Sequence, residues 1–144
     1  MDSIKQFREY TRQLECHLGY MNQADCCCCG VSQTQCFLIV EIGRKPGSSV
    51  KELAEILRTD KSAISRSVEE LVQKGFVERT PSKEDRRYVE LRLLPKGQER
   101  FAKIEHDMYF KFKAVWDRIP VEKQNQVLEA LKLYNEACVA IEEK

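Results

Sequence analysis

The sequence predicts a mainly α-helical protein with a small β-hairpin wing, a winged helix-turn-helix carried between long dimerisation helices. Three observations predict it. From Val50 to Lys74, two short stretches repeat apolar residues at helical spacing on either side of a polar turn, Thr59-Asp60-Lys61-Ser62. After Gly75 the period changes from 3.6 to 2, which marks strands. Outside this unit, three longer stretches carry apolar stripes that a winged unit alone does not need.

The elements follow in chain order. A first helix is expected over Ser3 to Tyr20, with Ile4, Phe7, Leu14, Leu18 and Met21 on one stripe. Cys16 lies off that stripe, and His17 lies on it and reads as a partly buried histidine rather than a ligand. Asn22 to Val31 shows no helical period and contains Asp25, the run Cys26, Cys27, Cys28, Cys29, and Gly30. Ser32 and Gln35 have capping-box spacing and open a helix over about Gln33 to Ile42. Phe37, Leu38, Ile39, Val40 and Ile42 make that helix apolar nearly all round, so burial on most sides is expected. Pro46-Gly47 marks the next turn. Ser49 and Glu52 form a second capping pair, before a helix with Leu53, Ala54 and Leu57 on its apolar face. The next helix carries Ile64, Val68 and Leu71 and stops at Lys74-Gly75. Phe76 to Arg79 and Tyr88 to Leu93 form the hairpin around a polar turn from Pro81 to Asp85, with Val89, Leu91 and Leu93 on one face. Pro95 suits a first helical position because its missing N–H is not needed there. Phe101, Ile104, Met108, Phe112, Val115 and Trp116 form a long stripe after it. Pro120 opens a last helix with Val127, Leu128, Leu131, Tyr134, Cys138 and Ile141. This divides the chain into outer helices at 1–21 and 96–144, whose surplus apolar surface implies dimerisation with a second copy, and a lobe at 32–94. That lobe is expected to bind DNA because the second helix of a helix-turn-helix is shaped to enter a major groove.

Composition narrows the function. The 144 residues suffice for one domain with a sizeable core. The formal charge is +1, from 24 basic and 23 acidic side chains, so contact with nucleic acid must come from local placement of charge. No apolar run is long enough for a membrane helix and the first residues lack a signal core, so a cytosolic protein is expected. The seven cysteines then point to soft-metal or thiol chemistry rather than a disulfide scaffold, although Cys36 and Cys138 also read as small buried hydrophobes. There is no CxxC active-site motif, no HExxH and no Gly-rich phosphate loop, and neither histidine has an acid-base partner in sequence, which argues against an enzyme.

The quoted segments, namely Val50-Lys51-Glu52-Leu53-Ala54, Lys61 to Arg66, Leu71, Lys74 to Arg79, and Asp85-Arg86-Arg87, together resemble the MarR family of bacterial transcriptional regulators over essentially the whole chain. The resemblance implies a homodimer that sets two winged helices on a pseudo-palindromic double-stranded DNA operator, usually as a repressor released by a ligand, oxidant or metal. It implies that Ser62, Ser65 and Arg66 lie on the recognition helix. It also implies that Asp85 orients a basic side chain of the wing, with Arg86 or Arg87 reaching the minor groove. The physical reading agrees. Lys61, Ser62, Ser65 and Arg66 are short or basic groups near a helix start, suited to phosphates and base edges. Arg79, Lys83, Arg86 and Arg87 gather positive charge around the wing. The sequence departs from the family at Leu93-Leu94, where Leu-Thr is usual, and in the cysteine run.

That run suggests an effector. Alternate cysteines share a side in extended chain, so Cys26 with Cys28, or Cys27 with Cys29, form one arm of a site to which Cys16 and Cys36 could add. Thiolates favour Cu(I), Zn(II), As(III) or Hg(II). Thiol oxidation is the alternative, and an organic effector without cysteine sensing is a further one.

Overall fold

The computed structural model describes residues 2–26 and 30–142, without the side chains of 23–26. Its elements are α1 (Ser3–Cys26), α2 (Gln33–Arg44), α3 (Val50–Leu57), α4 (Lys61–Gln73), β1 (Val77–Pro81), β2 (Val89–Leu93), α5 (Pro95–Trp116) and α6 (Val121–Glu142). They fall into two compact units, Met1–His106 and Asp107–Lys144. Among the described residues, the six helices and the two-stranded hairpin are the fold class expected from the sequence.

The first unit holds the core. Leu38, Ile39 and Ile42 of α2, Leu53 of α3, Ile64, Val68 and Leu71 of α4, and Phe76, Val77 and Leu91 of the hairpin are all buried in one cluster. The helical period therefore aims α4 with one face into the core and the other into solvent. Ser32 caps α2: its Oγ accepts from the Gln35 N–H at 3.1 Å, and the Gln35 side chain accepts from the Ser32 N–H at 3.0 Å. The pair at α3 is only half a box. Ser49 Oγ accepts from the Glu52 N–H at 3.1 Å, while the Glu52 carboxylate takes Lys45 Nζ at 2.6 Å. That ammonium holds the Glu52 carboxyl below the usual carboxylate range.

Arg58, with φ of 52°, closes α3 in the left-handed region, and Asp60 caps α4 by accepting from the Ala63 N–H at 3.3 Å. Gly75, with φ of 83°, ends α4 and turns the chain so that the Phe76 N–H reaches the Leu71 carbonyl. The strands pair antiparallel, with Val77 opposite Leu93 and Arg79 opposite Leu91. Ser48 adds a single bridge to Leu91 on the open side of β2. Pro95 opens α5, and the Leu94 carbonyl accepts the first helical bond from the Gln98 N–H. Gly97 cannot be larger, because a Cβ there would strike the Phe76 carbonyl oxygen. In the second unit, the Gln124 amide donates to the carbonyls of Trp116 and Ile119 and so fastens the start of α6 to the turn before it.

Three expectations change. The first helix does not stop near Tyr20 but runs to Cys26, because Asn22 to Asp25 tolerate a helix although they carry no apolar stripe. Residues Asn22 to Cys26 of the segment read as irregular are thus helical. His17 is exposed rather than partly buried. Val89 is also exposed, so only Leu91 and Leu93 of the β2 face turn inward. α2 is buried on most sides as expected, with only Phe37, at 38%, exposed among its described apolar positions. Among the described residues, no helix is long and apolar enough to cross a membrane.

Candidate nucleic-acid interface

The solvent face of α4 is built by the residues that do not pack. Lys61, Ser62, Ser65 and Arg66 are all exposed, opposite the buried Ile64, Val68 and Leu71. The face is therefore short polar groups with two cations at the N-terminal half of a 13-residue helix. Such a face fits against base edges because none of its side chains except the flexible cations holds the helix away.

The wing loop is shaped by its own side chains. Ser82 Oγ accepts from the Glu84 and Asp85 N–H groups at 3.3 and 3.4 Å, and the Ser82 N–H donates to the Tyr88 carbonyl at 2.9 Å. Asp85 Oδ1 accepts from the backbone N–H of Arg87 and from its Nε, each at 3.1 Å. Asp85 Oδ2 accepts from Arg87 Nη2 at 2.8 Å. The guanidinium of Arg87 holds the Asp85 carboxyl below its usual range, and the carboxylate in turn raises Arg87. Asp85 thus aims Arg87 while the arginine side chain stays in solvent. Lys83 and Arg86 are exposed on the same loop, where Glu84 offsets part of their charge.

Arg79 differs from the other cations. Its guanidinium pairs with Glu69, so it ties β1 to α4 rather than standing free at the wing tip. Neither Glu69 nor Glu70 was singled out from the sequence, although both bond across elements. Glu70 accepts from the Gln35 side chain at 2.6 Å. The Ser32–Gln35 capping box was the one legible signal near that contact.

Three of the cysteine side chains lie within the described residues. Cys16 is exposed on α1, Cys36 is buried in the first unit's core, and Cys138 is half-buried on α6. None of the three is in a disulfide. Cys27, Cys28, Cys29 and the side chain of Cys26 lie outside the described residues. Among the described residues, no group of three or more His, Cys, Asp or Glu side chains could hold a metal ion.

A solvent-facing helix followed by an arginine-bearing hairpin defines the class, a winged helix-turn-helix protein. Residues 30–87 match the sequence profile of the MarR family. The HTH-type transcriptional regulator BilQ of Clostridium symbiosum is 39% identical over 88 residues, which is 61% of this chain and 58% of BilQ. The HTH-type transcriptional repressor MdtR of Bacillus subtilis is 29% identical over 75 residues, 52% of this chain and 48% of MdtR. The chain thus spans about half the length of these curated relatives. In fold, FabT of Streptococcus pneumoniae, solved in complex with DNA, superposes with a TM-score of 0.86 at 18% identity, over 96% of this chain and 99% of FabT. A MarR transcriptional regulator from Methanosarcina mazei Go1 gives a TM-score of 0.80 at 18% identity, over 94% and 99% of the two chains. Residues 30–87 are thus similar to the MarR family, and the whole chain has the fold of the solved structures it superposes on.

Proposed function

We propose that this chain is a sequence-specific DNA-binding transcriptional regulator, a repressor acting as a homodimer on a double-stranded operator. The observation that carries the reading is the pairing of the exposed Lys61, Ser62, Ser65 and Arg66 face of α4 with Arg87 held by Asp85 on the wing. The α4 residues read base edges, while Lys83, Arg86 and Arg87 contact phosphate and the adjacent minor groove. The match to the MarR family over this same segment supports it.

The finer proposal is that a soft metal or metalloid, Cu(I), Zn(II), As(III) or Hg(II), controls operator binding through the thiolates of Cys26 to Cys29. What supports it is their contiguity in sequence and the donor chemistry. Cys16 is exposed but stands about 15 Å back along α1 from Cys26, and the burial of Cys36 suits packing better than ligation. Oxidation of the same thiols is the alternative control.

Fluorescence anisotropy against the gene's own upstream DNA tests both levels. The reduced protein is expected to prefer that DNA over random duplex. Arg66→Ala should cost about 1–3 kcal/mol on the operator and much less on random DNA. Equal losses on both would remove α4 from sequence reading, and no preference by the native chain would sink the regulator. Anaerobic addition of each metal, and separately of peroxide, should weaken binding. A chain with Cys26 to Cys29 all changed to serine should stop responding, and an unchanged response there ends the cysteine reading.

A further inference from the structure

Gln35 is 2% exposed, and both ends of its amide are used. The oxygen closes the cap of α2 on Ser32, and the nitrogen donates to Glu70 Oε2 on α4. One turn further along α4, Lys74 Nζ donates to the Gly30 carbonyl at 2.9 Å. Glu70 and Lys74 are four residues apart and so share a helix face. Together they grip both ends of the short segment 30–35, which leads from the cysteine run into α2. The Lys74 carbonyl is itself held by Lys96 Nζ at 2.8 Å, so α5 is fastened to the same end of α4.

We infer that Gln35, Glu70 and Lys74 form a clasp through which the conformation of residues 30–32 positions the recognition helix. Losing the Glu70 contact strands a buried amide donor, so the closed clasp is favoured over an open one. α4 rises about 20 Å over its length. A shift of the chain at Gly30 therefore pulls on the C-terminal half of a rigid helix and tilts the half that carries Ser62, Ser65 and Arg66. Gln35, Glu70 and Lys74 are positioning residues in this scheme. The inference deepens the proposed function and rests on it for one point, that α4 reads DNA.

The test perturbs Gly30 and asks whether the clasp carries the effect. Gly30 has φ of +71° and open space around its Cα, so Gly30→Val strains the backbone without a steric clash. Amide hydrogen exchange of α4 and operator affinity are measured for Gly30→Val, alone and combined with Glu70→Ala and Lys74→Met. With the clasp intact, Gly30→Val should raise α4 exchange about tenfold and weaken operator binding about tenfold. With the clasp cut, the added effect of Gly30→Val should fall below about twofold in both. Glu70→Gln keeps an acceptor for Gln35 and should preserve the full effect, and thermal melting confirms that each variant folds. An effect that persists at full size in the cut background overturns the clasp, and so does a silent Gly30→Val in the intact chain. If no variant binds DNA, the regulator reading fails while the exchange measurements still decide the clasp.

Discussion

Asp85 shapes the wing with one carboxylate, accepting from both the backbone and the side chain of Arg87. Those bonds depress its folded pKa, so the sign of the pH dependence is fixed. The arrangement is fully present above the ordinary aspartate range and is lost as pH falls through the lowered value. Titration of the Asp85 carboxyl by NMR should show a midpoint below that of an unpaired aspartate, about 3.9. Arg87→Ala should raise the midpoint back toward it. Asp85→Ala leaves Arg87 in place but unaimed, and operator affinity should drop by a few-fold to about tenfold. An Asp85→Ala chain with native affinity would show that the wing arginine needs no such support. The Asp85–Arg87 pair was anticipated through the family resemblance and not from spacing alone. The bonds from Gln35 to Glu70 and from Arg79 to Glu69 were not anticipated, since no linear spacing tells which distant groups α4 will meet.

Elements were legible where a periodic apolar face coincided with a stop or cap. α4 is the example: Ile64, Val68 and Leu71 repeat at helical spacing, Asp60 starts the helix, and Gly75 ends it. α1 is the counterexample. Its apolar stripe ends at Met21, but its hydrogen bonds continue to Cys26, because a helix requires only residues that tolerate it. The stripe therefore reported what could be buried and not how far the helix extends. The fully buried Leu71 lets this be tested by energy. Leu71→Ala removes packing at the centre of the winged core and is expected to cost about 2–5 kcal/mol, read by urea unfolding. Ser65→Ala, on the opposite and exposed face of the same helix, should change stability by no more than about 0.5 kcal/mol. Comparable losses for the two would mean that α4 is not divided into a core face and a reading face.

At the scale of the molecule, each unit leaves apolar surface that its own packing does not cover. In the first, Ile4, Phe7, Tyr10 and Leu14 of α1 are exposed, with Phe7 at 52%. In the second, Leu128, Leu131 and Tyr134 of α6 are exposed, and none of that helix's described residues is buried. Isolated exposed leucines are ordinary, but apolar residues repeating along a helix mark a surface meant for a partner. A second copy of the chain is the simplest occupant, because a two-fold partner covers the same residues on both chains. It also supplies the second reading helix that half-sites about 34–36 Å apart require. Sedimentation velocity at micromolar concentration should therefore give a particle of twice 16.8 kDa. Leu131→Glu places a charge on the exposed stripe of α6 and should shift the protein toward monomer at the same concentration. The unfolding midpoint of its winged unit should change little, since Leu131 lies outside that core. Operator affinity should fall at least about tenfold, because each monomer then engages one half-site alone. A native chain that sediments as a monomer, or a Leu131→Glu chain that remains a dimer with full affinity, would show that the α6 stripe does not hold the dimer.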